Sequence, residues 1–227
     1  MLARVRHLLA LLAVAAAASI WLLRHGDTAS LAQDPATPVF YALSLVGLAF
    51  RWFWARYLVL GFAGAMLAID LSAGLWLAAA GSTALITLLV GPGMRALFEG
   101  RATRLNRWAR AHPLIERIKP LFLAQAVALG LLYAYRAPLD APVAIVLTLA
   151  LGGLGLIGLV WHRVWGVLLL LPALVLEATA AAAGFGVCGV GWRAPLMIWI
   201  AVAASLLLLL PLLWRMSWSI ARPTAGS

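Results

Sequence analysis

The chain has 227 residues, 65% of them hydrophobic and 11% charged, with a mean hydropathy of +1.03. A soluble domain of this length is about 25% charged, so the composition excludes an ordinary water-soluble globular domain and makes the lipid bilayer the expected partner. The net charge of +10 rests on 16 Arg and one Lys; these residues flank apolar runs and form no separate basic domain, which excludes nucleic acid as a partner.

In chain order, "MLARVRHLLALLAVAAAAS" begins like a signal peptide, with a basic start, an apolar stretch and small residues. The apolar run continues through "IWLL" to Leu23, long enough to cross a bilayer, so a retained first span over about Leu8–Leu23 is expected. A second span, about Pro38–Trp54, follows "DPATP". The third and fourth share Tyr57–Val90. One straight helix of that length would run about 51 Å, too long for a ~30 Å hydrocarbon core, so the stretch is expected to fold into a hairpin around Ser72–Gly74. Four more spans are read at Pro120–Tyr135, Val143–Trp161, Val164–Ala183 and Ala194–Trp214. The expected fold class is therefore all-α, a polytopic transmembrane bundle of about eight spans. Residues 1–93 and 120–227 form two four-helix units, joined by a basic connection over 94–119.

Loop charge sets the orientation. Arg4, Arg6, Arg51, Arg56, the seven basic residues from Arg95 to Lys119, Arg163, Arg215 and Arg222 fall on one side of the alternating spans; only Arg24, Arg136 and Arg193 fall on the other. Basic residues collect in the cytoplasm, so both termini are expected there. The Ala, Arg and Leu bias suits a GC-rich bacterium, and hence the bacterial inner membrane.

An internal repeat is suggested by one offset. Trp54 and Trp161, Arg56 and Arg163, Asp70 and Glu177, and Ser72 and Thr179 are each 107 residues apart. Trp and Arg favour membrane interfaces in any chain, but that does not account for two of only seven acids sharing the register. The offset implies a four-plus-four duplication with parallel halves, because four spans return the chain to its starting side. Each acid lies 14 residues, about 21 Å of helix, beyond its arginine, in the outer half of the core and out of that arginine's reach. An acid at such a depth is costly unless it is neutral, paired or wet. Asp70, Glu177, Ser72 and Thr179 are thus the candidates for contacting a substrate or proton. The competing reading is structural: Asp70 caps the hairpin, and Glu177 bonds a neighbouring helix.

The connection Met94–Pro120 carries Arg101, Arg104, Arg107 and Arg110 at every third residue, with Leu97, Phe98, Leu105 and Trp108 near helical spacing. This reads as an interfacial amphipathic helix whose arginines meet anionic lipid headgroups, or as a topology anchor or a docking surface for a membrane-protein partner. Catalytic signals are poor. His7, His25, His112 and His162 lie outside or at the edges of spans without metal-ligand spacing, and Cys188 is alone, so no metal site and no cofactor is expected. Lys119 sits at a boundary and cannot carry a mid-membrane Schiff base, and no G-x-S-x-G or Walker motif is present. "LGGLGLIG" at Leu151–Gly158 lies inside an apolar span and reads as a helix-packing face. The functional expectation is a small transporter or permease-like protein. The alternatives are a non-catalytic accessory or assembly subunit and, third, a membrane enzyme acting on lipid.

Overall fold

The structure is a computed structural model that describes residues 2–25, 36–99, 115–134, 142–161, 164–184 and 193–221. Among these residues all regular structure is α-helical, in nine helices. The chain divides into two compact units, Met1–Ile115 and Glu116–Ser227, each described by itself.

Unit 1 holds α1 (Leu2–His25), α2 (Ala36–Ala49), α3 (Phe53–Ser72), α4 (Trp76–Leu89) and α5 (Pro92–Glu99). Helix α1 packs against α2 and α4, and α3 packs against the same two, which closes a ring of four. Ala10, Val14, Leu48, Val59 and Leu89 form its core, with Met94 and Phe98 of α5 packed among them. The apolar face of α5 therefore docks on protein, because α5 also packs against α1 and α3.

Among the described residues of unit 1 the chain turns back twice and bends once, each time by a different device. Between α2 and α3 it turns at Phe50–Trp52, so Trp54 belongs to α3 and not to the end of the second span. Arg51 takes the left-handed conformation (φ 55°), and the Arg51 and Trp52 N–H groups donate to the Leu48 and Gly47 carbonyls, both at 2.9 Å. Apolar aromatic sequence runs straight through this turn, which is why hydropathy alone does not mark it. The α3–α4 hairpin is a Schellman cap: Gly74 sits at φ 71°, its N–H donates to the Leu71 carbonyl (3.3 Å), and the Leu75 N–H donates to the Asp70 carbonyl (2.8 Å). The third break follows α4, where Gly91 at φ 116° allows a 65° bend into α5.

Unit 2 holds α6 (Ile115–Ala134), α7 (Pro142–Val160), α8 (Val164–Gly184) and α9 (Arg193–Ala221). Helix α6 begins five residues before Pro120, and Ile118 and Lys119 are already buried. Helix α8 packs against α7 and α9. The glycine-rich run of α7 is a packing seam. A Cβ on Gly158 would lie 2.5 Å from the Gly166 Cα of α8, and one on Gly155 would lie 3.1 Å from the Gly166 carbonyl oxygen. On the same helix, a Cβ on Gly152 would meet the Leu129 side chain of α6 at 2.9 Å. Backbones this close need small residues, which is how helices associate where lipid supplies no hydrophobic drive.

Among the described residues three helices, α1, α3 and α8, are long and apolar enough to cross a membrane, and a fourth span is reached if the bent pair α4–α5 is taken as one. Helices α2, α6, α7 and α9 contribute shorter apolar stretches of 10–17 residues. Outward-facing Leu12, Leu77, Leu168, Val175 and Leu207 suit apolar surroundings.

Candidate functional site: a buried acid–amide pair and a capped helix break

Glu177 is fully buried on α8, seven residues before the helix ends. Its Oε1 accepts a hydrogen bond from Gln125 Nε2 on α6, and Gln125 is equally buried. The second carboxyl oxygen, Glu177 Oε2, and the amide oxygen, Gln125 Oε1, have no hydrogen-bond partner among the described residues. Ionisable neighbours are remote in sequence. Glu177 is the sole charged residue of α8, and α7 has none. On α6 the nearest ionisable residues are Lys119 and Tyr133, and on α9 they are Arg193 and Arg215. The pair thus consists of one acid and one neutral amide in an apolar setting.

Asp70 has different surroundings. It lies two residues before the end of α3, is 6% exposed, and accepts a long hydrogen bond (3.4 Å) from Ser82 of α4 on Oδ2. Counted from the helix start it is the eighteenth residue of α3, whereas Glu177 is the fourteenth of α8, a difference of about one turn. The position 107 residues before Gln125 is Ala18, a buried methyl on α1 that offers no hydrogen bond. The hydroxyls of Ser72 and Thr179 behave alike: each is exposed and donates to a carbonyl three residues back, Ile69 at 2.7 Å and Leu176 at 2.9 Å. Those bonds lie within their own helices and do not reach either acid.

A second polar cluster surrounds the break after α4. The last carbonyls of a helix lack intrahelical donors, and here arginines supply them. Arg6 of α1 donates to the Thr87 and Val90 carbonyls, and Arg56 Nε of α3 donates to the Leu89 carbonyl at 2.9 Å. A cation at a helix C-terminus also meets the negative end of the helix dipole. Glu99, closing α5, then gathers Arg56 (3.6 Å), Arg95 (3.1 Å) and the Tyr57 hydroxyl (2.9 Å). His7 of α1 donates through Nε2 to the Leu48 carbonyl (2.8 Å) and meets the Phe98 ring edge-on at 5.5 Å.

No family model matches the chain, and no curated protein or solved structure matches it. The site residues therefore stand on chemistry alone. Arg101, Arg104, Arg107 and Arg110, the lipid-headgroup candidates, lie outside the described residues. Gln125, Glu99, Tyr57 and His7 were not singled out by sequence pattern. Gln125 carries a signal all the same, as a lone amide in the apolar run "LFLAQAVALG". Glu99 carries one in its i,i+4 spacing from Arg95. The cluster around Glu99 is made of opposite charges and capped carbonyls, an arrangement that holds helices together. The Glu177–Gln125 pair keeps two unpartnered acceptors, an arrangement that can take up a ligand.

Proposed function

We propose that this chain is a multi-pass protein of the bacterial inner membrane, with eight spans in two parallel four-helix halves, and that it works as a small transporter with Glu177 as the ionisable group of its polar interior. The observation that supports the reading is the enclosed Glu177 carboxyl with one unpartnered oxygen on a helix long and apolar enough to span. Placing an acid at the centre of a span costs about 2.5–3.5 kcal/mol on insertion scales, and less toward its ends; Glu177 lies seven residues from the end of α8. An interhelical hydrogen bond returns on average about 0.6 kcal/mol, at most ~1.7. The bond to Gln125 does not offset the acid, which favours a role beyond helix packing.

The test uses two variants. Glu177→Gln keeps shape and hydrogen bonding, so thermal stability in detergent should hold while proton-linked flux into liposomes under a pH gradient is lost. Glu177→Leu should lower stability by about 0.6 kcal/mol, up to ~1.7, as well. Unchanged flux in Glu177→Gln would remove the transporter reading. The runner-up, an accessory subunit whose polar groups only join helices, is favoured by the Glu99 cluster and the Asp70–Ser82 bond in unit 1; it expects both variants to leave flux untouched. In either reading the basic loop faces the cytoplasm and meets anionic headgroups. Reporter fusions at residue 105 and at the C-terminus should both report a cytoplasmic location, and a periplasmic signal from either would overturn the orientation.

A further inference from the structure

We propose that the ion taken by the Glu177–Gln125 site is a proton, bound on Glu177 Oε2 and donated to Gln125 Oε1, with Gln125 as the positioning residue. This rests on the transporter reading of the same site and names what that site carries. The argument is a count of donors and acceptors. A carboxylate has two acceptor oxygens and no donor; an amide has one acceptor and an N–H₂ donor group. The observed bond from Gln125 Nε2 to Glu177 Oε1 uses one donor and one acceptor. One amide N–H and two acceptors remain; the acceptors, Glu177 Oε2 and Gln125 Oε1, are both buried and both unpartnered among the described residues. Two acceptors cannot satisfy one another, and a buried polar atom without a partner is costly. One proton on Oε2 supplies the missing donor and satisfies both atoms together.

Geometry favours the same ion. Carboxyl and carboxamide groups are both planar, so a proton on Oε2 lets them pair through two parallel hydrogen bonds in a closed ring. A metal cation needs more ligands than this: calcium, for instance, takes about 6–8 oxygens. The buried side-chain oxygens without a partner in unit 2 are these two alone among the described residues, and Ser205 has its hydroxyl turned onto the Ala201 carbonyl at 2.8 Å. By sequence position the charged residues of α6 and α9 are Glu116, Arg117, Lys119, Arg193 and Arg215. The nearest on α6, Lys119, lies six residues, about 9 Å of helix, before Gln125. Uptake converts the carboxylate to the carboxylic acid and changes the site charge from −1 to zero; release reverses it, and no other bond is made or broken.

The experiment is infrared difference spectroscopy on the full chain in liposomes, stepped in pH, in buffers with and without sodium. The expected result is a protonated-carboxyl carbonyl band at neutral pH that ignores sodium, vanishes in Glu177→Gln and shifts in Gln125→Leu. The exchange variant Gln125→Glu/Glu177→Gln moves the acid to α6 and should regain the band at unchanged thermal stability, a rescue that general packing does not provide. A carboxylate signal without the protonated band, or one that moves on adding sodium, would overturn the proton assignment. The same vesicles, loaded with a pH-sensitive dye, separate the two levels. Flux lost in Glu177→Gln with no protonated band in the parent protein overturns the proton assignment and keeps the transporter. The band without any flux keeps the bound proton and overturns the transporter.

Discussion

In unit 1 charged groups gather around the break after α4, where opposite charges meet, Arg56 with Glu99 and Glu99 with Arg95, while Arg6 caps the carbonyls that close α4. In unit 2 the fully buried acid lies well inside α8 and meets a neutral amide. Both units thus contain an acid whose burial must be compensated, yet the compensation differs in kind. Glu99 has electrostatic partners; Glu177 has one hydrogen bond among the described residues. A pair that neutralises itself at the end of a helix makes a rigid joint. An acid left with a spare oxygen makes a site that can change state.

The widest separation between the two regions should come from removing Glu99. Glu99→Ala leaves Arg56, 8% exposed, facing an emptied site. Breaking a buried pair from one side costs about 3–5 kcal/mol. The lower end is expected here, about 3 kcal/mol, because Arg56 keeps its bond to the Leu89 carbonyl. Denaturant unfolding in detergent should show this loss beside an almost unchanged Glu177→Gln. If the two variants unfold alike, the contrast between joint and site is void.

A middle-sized effect should separate glycines that touch a neighbouring helix from those that do not. Gly158→Ala drives a methyl into the Gly166 backbone of α8, 2.5 Å away, where nothing flexible can yield. Overpacking of that kind costs about 1–3 kcal/mol. Gly153→Ala, five residues earlier on the same helix, meets nothing within 4 Å and should be neutral, or gain up to about 1 kcal/mol from helix propensity. Thermal unfolding of the two variants side by side checks this. Equal losses would mean that the α7–α8 seam does not carry unit 2.

How much of this could be read from the chain depended on whether the signal was local. The apolar segments lie on helices α1–α4 and α6–α9, because a long unbroken apolar run is a local signal that hydropathy reads directly. The reversal at Ser72–Gly74 was visible from length and from Gly74, and the glycine seam of α7 from its place inside an apolar run. The turn between the second and third spans was expected after Trp54 and lies instead at Phe50–Trp52, because Arg51 adopts the left-handed conformation between aromatic residues that continue the apolar pattern. The partner of Glu177 was not visible. A single Gln has no periodicity, and its register mate Ala18 removes it from the repeat. The arginine caps on α4 were hidden for another reason: their acceptors are backbone carbonyls, which every residue has, so only folding reveals which ones they choose.

The smallest effect belongs to Asp70, and it bears most directly on whether the two acids are alike. The Schellman cap at the end of α3 uses the Asp70 backbone carbonyl, so it survives any change of side chain. The side chain contributes one bond to Ser82 at 3.4 Å, at the long limit for a hydroxyl donor. Asp70→Asn keeps an oxygen for that hydroxyl and should cost no more than about 0.5 kcal/mol, the low end for a hydrogen bond. Proton-linked flux should be retained, because Asp70 accepts from a hydroxyl on Oδ2, whereas Glu177 keeps one buried oxygen without a donor among the described residues. Measuring flux for Asp70→Asn beside Glu177→Gln therefore asks whether shared register brings shared chemistry. Retained flux in the first and lost flux in the second would assign the function to the local partner, Gln125. Loss in both would place the two acids in one path and make the 107-residue offset a functional repeat as well as a sequence one.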